Sequence, residues 1–126
     1  MLDLFQGYLN QRSITFRFIN DDNTLLTFDI NNIHYLFSYR RNADPHYFRI
    51  MIPNVDNINI NDLSILNRLQ TLTQSYKIGK AEIQEGQLWL CADSFVYSRD
   101  NVNQLFERML AVLQDMFNEY RRNTNV

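Results

Sequence analysis

An aspartate and a histidine in this chain could form an acid–base pair. Asp29 and His34 flank an Asn31-Asn32 turn, and a two-residue hairpin would set them opposite each other. General acid–base catalysis uses a carboxylate beside an imidazole in this way. Both side chains would lie on the face opposite the aromatic row of the hairpin, and the sequence fixes no nucleophile near them. The pattern therefore favours a solvated cross-strand pair, with catalysis as the alternative.

A second histidine, His46, follows Asp44 and Pro45 in a predicted turn. His34 and His46 could meet across neighbouring strands. Asp29 or Asp44 would then complete a metal site, because imidazole and carboxylate groups are zinc ligands. Two histidines without a recognisable ligand spacing are a weak signal, however. We therefore expect neither a metal ion nor another cofactor.

The single cysteine, Cys91, lies within an apolar segment and is interpreted as a small buried or half-buried residue rather than a nucleophile. The chain contains neither a phosphate-binding glycine loop nor a nucleophile elbow, and it has only three glycines. An enzyme is therefore not expected. The alternative is a small ligand-binding domain or enzyme with a pocket between sheet and helices, using Asp29 with His34 or His46.

Composition narrows the class of protein further. A length of 126 residues with 45% hydrophobic and 13% aromatic residues suits one domain, spanning 1–126, with a substantial core. A net charge of −2 is unlike that of a nucleic-acid binder, so no nucleic acid is expected as a partner. No segment approaches the roughly 20 apolar residues of a membrane span, and the start lacks signal-peptide features. We expect a cytoplasmic location and no membrane contact.

Two hairpins organise the predicted sheet. In the first, asparagines at Asn31-Asn32 tolerate the positive φ of a tight turn, and a slip of one residue would expose the apolar row. The second turns at Glu85-Gly86 and sets Glu82 opposite Trp89 on the outer side, with Gly79 where a helix could approach closely. The inner pairs predicted for the first hairpin are Leu26 with Phe37, Phe28 with Tyr35 and Ile30 with Ile33.

Helical spacing of apolar residues predicts three helices: Leu2–Gln11, a second helix capped by Asn61 or Asp62, and a long C-terminal helix. Tyr47–Ile52 reads as a strand, followed by a polar connection through residues 53–59. Ile14–Phe18 reads as a short strand or an extended arm. Because hairpins pair antiparallel and the helices must cover one face, we expect an α+β two-layer sandwich of order α-β-β-β-α-β-β-α.

This order resembles the YbjN family, whose members share the fold of type III secretion chaperones. The resemblance in element order covers nearly the whole chain. At the residue level it rests on the Leu66-Asn67-Arg68-Leu69 helix and on Lys77 to Ile83, within residues 66–92. It implies a bacterial homodimer that acts as a regulator, for example of sensory transduction, or as a chaperone-like protein-binding module. It carries over no catalytic residues.

Apolar side chains on the uncovered face of the sheet are the candidate contact surface. Leu25, Leu36 and Trp89 are predicted to point away from the helices, with His34 and Lys80 at the rim. Such a row suggests that a second copy, a client peptide or a curled sheet edge covers it. Ordinary partial burial is the alternative. The expected partners are the chain itself and an unknown protein or peptide, bound without covalent chemistry.

Overall fold

A computed structural model of the chain describes residues 2–40, 42, 45–96 and 99–124. Over these ranges it shows helices and strands in the predicted α+β arrangement. No helix among them is long and apolar enough to cross a bilayer. The elements in chain order are α1 (Leu2–Gln11), β1 (Phe16–Phe18), β2 (Leu25–Ile30), β3 (Ile33–Arg40), β4 (His46–Asn57), α2 (Leu63–Gln74), β5 (Gly79–Gln84), β6 (Gln87–Val96) and α3 (Val102–Thr124).

The strands form one antiparallel sheet of order β1-β2-β3-β4-β6-β5. The segment interpreted as a strand or an arm forms the short edge strand β1, which pairs with β2. β4 lies beside β6, and this pairing joins the two predicted hairpins into one sheet. The predicted two-layer sandwich with an antiparallel sheet is therefore confirmed.

The hairpin turns are formed by residues that tolerate positive φ. Asn31 and Asn32 have φ angles of 53° and 65°, and Glu85 and Gly86 have 51° and 75°. Two successive positive φ values match the turn type whose twist suits a hairpin. The three inner pairs predicted for the first hairpin are all present. The second hairpin also has the predicted register, with Glu82 opposite Trp89.

Helix α2 begins after a capping aspartate. The carboxylate of Asp62 accepts hydrogen bonds from the backbone N–H groups of Ser64, at 3.0 Å, and Ile65, at 3.3 Å. These donors have no partner within the helix, so the cap satisfies them. Of the two residues predicted to cap the N-terminus of α2, Asp62 is the one that does so.

Strand β4 is longer than predicted. The polar connection expected through residues 53–59 instead continues the strand to Asn57, after a break in the register between Ile52 and Asp56. Asn54, with φ of 52°, lies within the break. Pro53 and Asn54 are typical of turns, but a β-bulge accepts both residue types without ending the strand. The sequence pattern alone could not separate the bulge from a loop.

All three helices pack on one face of the sheet, which we call the inner face. The hydrophobic core there combines helix residues with every second residue of the strands. At its centre Phe5 of α1 stacks on Phe37 of β3 with ring centroids 4.0 Å apart, and Phe106 of α3 meets Phe48 of β4 edge-on at 5.2 Å. None of these four side chains is exposed to solvent.

Gly79 allows α3 to approach the sheet closely, as predicted. A Cβ atom at this position would lie 2.9 Å from Cγ1 of Val112 and would also overlap Sδ of Met116. Met116 is fully buried, and a β-branched valine has little freedom to move aside. The close approach of α3 therefore depends on the missing side chain.

We expect Gly79→Ala to lower the free energy of unfolding by about 1–3 kcal/mol, because the added methyl overpacks the core. Urea denaturation measures this change. Gly7→Ala is the matched control, since no atom lies within 4 Å of its added Cβ. Alanine should stabilise α1 there by up to about 1 kcal/mol. Equal effects of the two substitutions would contradict the packing argument.

Candidate protein-binding surface

Side chains that point away from the helices form a second surface, which we call the outer face. They alternate along each strand with the inner-face residues, and none of them belongs to the core that the helices cover. Within the described part of the chain, no helix covers the outer face. Its members are Arg17, Leu25, Thr27, Asp29, His34, Leu36, Ser38, Arg40, Tyr47, Arg49, Met51, Asn57, Lys80, Glu82, Gln84, Gln87, Trp89, Cys91, Asp93 and Phe95.

All five residues predicted for the contact surface lie on the outer face. Leu25 and Leu36 are half-buried on β2 and β3, and Trp89 is half-buried on β6 opposite Glu82. The rim residues His34 and Lys80 have side chains that are 54% and 40% exposed. Strand β4 lies between the two groups, so they form one surface only through its side chains. Their binding role stays a prediction.

The residues that join the two groups were missed from the sequence. Met51 of β4 lies between Leu36 and Cys91 in the same cross-strand row and is 6% exposed. Asp93 and Phe95 continue the outer-face alternation of β6 toward the C-terminal end of that strand. The signal for Met51 was the alternation of Tyr47–Ile52, which places every second residue on each side. The partner strand was not visible in the sequence.

A network of ionic side chains occupies the outer face of β4, β5 and β6. The Arg49 guanidinium donates to both carboxylate oxygens of Glu82, at 2.9 and 3.0 Å. Lys80 lies 3.6 Å from Glu82 and 3.4 Å from Asp93. Tyr47 donates its hydroxyl to Asp93 at 2.7 Å. The network therefore connects three strands with alternating positive and negative groups.

Both carboxylates of the network stay ionised at neutral pH. Burial alone would raise the pKa of Glu82, but hydrogen bonds from Cys91 and Arg49 and the nearby positive charges hold that pKa below its usual value. Burial likewise opposes ionisation of Asp93. Its hydrogen bond from Tyr47 and the charge of Lys80 outweigh burial and lower the pKa of Asp93. The surface thus presents fixed charges of both signs.

One N–H donor of this network has no hydrogen-bond acceptor among the described residues. The buried Nε–H of Arg49 makes no hydrogen bond with the described residues. Oδ2 of Asp93 lies 3.6 Å from this nitrogen, which is too far for a hydrogen bond. Arg49 is nevertheless held in place by the paired bonds to Glu82.

Cys91 lies beneath this network and has no solvent exposure. Its thiol donates to Oε2 of Glu82 at 3.2 Å. Burial, with a contribution from the Glu82 hydrogen bond and charge, raises the pKa of Cys91 to about 12. A nucleophilic cysteine needs a thiolate, and this environment disfavours one. The geometry agrees with the interpretation of Cys91 as a small buried residue.

The predicted cross-strand pair is present. Nδ1 of His34 lies 2.8 Å from Oδ1 of Asp29. The hydroxyl of Thr27 lies 2.9 Å from Nε2 and 3.3 Å from Nδ1 of the same ring. An oxygen at similar distances from both nitrogens lies over the ring, whereas proton transfer requires an oxygen in the ring plane. The same hydroxyl bonds to the carbonyl of Tyr35 at 3.2 Å. These three side chains are not arranged as a catalytic triad.

The two histidines do not meet. His34 is the second residue of β3. His46 is the first residue of β4, and its neighbour Tyr47 pairs with Arg40 at the opposite end of β3. Six residues of strand separate the two positions, about 20 Å. Asp44 lies outside the described residues. Within those residues, no group of three or more histidine, cysteine, aspartate or glutamate side chains could hold a metal ion.

Comparison with solved structures identifies the fold. No protein-family model matches the chain, and no curated protein matches it. Among solved structures, the crystal structure of YbjN from E. coli, a candidate transcription regulator, aligns with a TM-score of 0.66. The alignment covers 98% of this chain and 93% of that chain at 13% sequence identity. The chain has the YbjN fold. At this identity the likeness shows the fold alone, and it confirms the resemblance seen in the order of elements.

The buried thiol makes the stability of this YbjN-like domain sensitive to alkaline pH. Because Cys91 ionises near pH 9 when unfolded and near 12 when folded, its contribution to stability is complete below pH 9 and is lost as the pH rises toward 12. We expect the wild type to lose about 1 kcal/mol more than Cys91→Ala between about pH 8 and pH 10. Urea denaturation at each pH measures the difference.

The wild type and the variant contain the same tyrosines, so their contribution cancels in this comparison. Parallel pH profiles of wild type and Cys91→Ala would show that the folded thiol ionises as readily as the unfolded one.

Proposed function

We propose that this chain is a non-catalytic protein-binding module, regulatory or chaperone-like, that acts in the cytoplasm as a homodimer through its outer face. The observation that supports this most strongly is the set of apolar side chains on a sheet face that the described helices leave open. The YbjN fold is consistent with such a role, because the aligned protein is itself a candidate regulator.

The outer face has the composition of a binding surface. Leu25, Leu36 and Trp89 are half-buried there, and Phe95 is 51% exposed. Large aromatic and aliphatic anchors inside a polar rim contribute most of the free energy in typical interfaces. Trp89 is the main anchor in this proposal, and His34 belongs to the rim.

The ionic network favours a second copy of the chain as the occupant of this face. Arg49 and Lys80 lie beside Glu82 and Asp93, so cations and carboxylates are interspersed. A two-fold axis brings the same patch of two copies together. A surface of mixed sign can then place cations opposite carboxylates, whereas a surface of one sign would repel its copy.

The size of the face also fits a dimer interface. Six strands spaced by about 4.8 Å, with lengths that average between seven and eight residues, give a sheet face on the order of 700 Å². A standard interface buries about 800 Å² on each partner. Nearly the whole outer face would have to participate, which includes both the Leu25–Leu36 side and the Trp89 side.

The proposed binding is non-covalent, whether the protein bound at the outer face is a second copy of the chain or a client protein or peptide. The network carboxylates are neutralised by neighbouring cations, and the chain has a net charge of −2. That balance disfavours nucleic acid, whose binding needs a surplus of positive charge. The arrangement of Asp29, His34 and Thr27 gives no support to an enzymatic role.

Sedimentation equilibrium tests the homodimer directly. We expect the wild type to be dimeric, Trp89→Ala to weaken self-association by about 1 kcal/mol or more, and Trp89→Glu to be monomeric. Leu63→Glu is the matched control, because Leu63 is 72% exposed but lies on α2 outside the outer face. This control should remain dimeric. Thermal melts confirm that each variant is folded.

A wild type that sediments as a monomer would contradict the homodimer, as would dimers of unchanged affinity in Trp89→Glu. If the monomeric wild type instead retained a discrete protein from its native lysate, and Trp89→Glu did not, the occupant of the outer face would be a client protein rather than a second copy.

A further inference from the structure

A cleft between α2 and the C-terminal part of α3 is separate from the outer face. Its volume is about 230 Å³. Arg68, Thr71 and Leu72 line it from α2, and Glu119 and Tyr120 line it from α3. Pockets for drug-sized molecules measure about 300–1,000 Å³, so an occupant of this cleft is smaller than a typical drug.

The floor of the cleft is apolar and rigid. Leu72 and Tyr120 are 7% and 5% exposed and belong to the hydrophobic core. The Tyr120 hydroxyl donates to Oδ2 of Asp56 at 2.7 Å, which fixes the ring. Because that hydroxyl is already bonded to the sheet, the ring offers an apolar surface to an occupant rather than a polar atom.

Opposite charges lie toward the two ends of this floor. The Arg68 guanidinium lies 5.8 Å from the centroid of the Tyr120 ring and has no hydrogen bond or ion pair with the described residues. Glu119 accepts the hydroxyl of Tyr76 at 3.0 Å, just beyond the end of α2. Arg68 precedes Ser75, the C-cap of α2, by seven residues, which is about 10 Å along the helix.

The surroundings of Glu119 favour a cation. Helix α2 ends at this side of the cleft, and a helix C-terminus carries partial negative charge. Asp115 and Arg122 act on the neighbouring Tyr76 with opposite signs. Their charges offset each other, so Glu119 sets the net charge at this end.

We propose that the cleft binds a zwitterion the size of a dipeptide. Its carboxylate pairs with Arg68, its ammonium pairs with Glu119, and its side chains pack on Leu72 and Tyr120. The hydroxyl of Thr71, between the two ends, can bond to the peptide group. Two extended residues span about 7 Å, and a hydrogen bond of about 2.9 Å at each end extends that reach to about 13 Å. This reach exceeds the roughly 10 Å of helix between Arg68 and Ser75. A free amino acid carries both charges on one carbon and reaches only one end.

Isothermal titration calorimetry with three unmodified dipeptides, Leu-Leu, Ala-Ala and Gly-Gly, tests the proposal on the full chain. We expect Leu-Leu to bind most tightly, because the floor is apolar. N-acetyl-Leu-Leu lacks the ammonium, Leu-Leu amide lacks the carboxylate, and leucine lacks the length. Each of these three should bind at least tenfold more weakly than Leu-Leu.

Two variants test which residue binds each charged end of the dipeptide. Arg68→Gln should no longer distinguish Leu-Leu from its amide, and Glu119→Gln should no longer distinguish Leu-Leu from its N-acetyl form. Arg108→Gln, an exposed α3 position outside the cleft, is the control and should bind like the wild type.

The absence of binding by all three dipeptides overturns the proposal. Equal affinity for Leu-Leu and its capped forms overturns it too, as does a tenfold loss in Arg108→Gln. The outcome is independent of the homodimer, because no cleft residue belongs to the outer face.

Discussion

The pairing of β4 with β6 joins two hairpins that each form locally, and both faces of the sheet depend on it. On the inner side it supplies the central strands on which α3 packs. On the outer side it brings Arg49 to Glu82, across 33 residues of sequence. Contacts of such separation carry a larger entropic cost of loop closure than a hairpin turn does. The burial of the aromatic core is what offsets this cost.

Local features of the fold could be predicted because each follows from a short stretch of sequence. Two asparagines fix the first turn and hence its register, and the spacing of apolar residues fixes the helices. Gly79 marked the close approach of α3 because only a residue without a Cβ fits there. The strand beyond Pro53 could not be predicted, since proline and asparagine occur in loops and in bulges alike.

The candidate surface was predictable only in part. Alternation within the hairpins placed Leu25, Leu36 and Trp89 on one face, and the structure places them there. The strand between them comes from a different part of the chain, so Arg49 and Met51 could not be recognised as neighbours. The two-ended cleft between α2 and α3 likewise depends on how helices pack, which one-dimensional periodicity does not specify.

The bulge in β4 is a point at which hydrogen bonds connect the sheet to the helix layer. A β-bulge locally disrupts the ladder of hydrogen bonds and bends the strand. Tyr120 and Arg121 of α3 hold this stretch through Asp56 and the carbonyl of Val55. Across the same stretch, Leu88 and Leu90 of β6 flank Trp89, the one tryptophan in the chain. Trp89 therefore lies across from the stretch of β4 that the end of α3 holds, and its indole fluorescence can be used to monitor this part of the sheet.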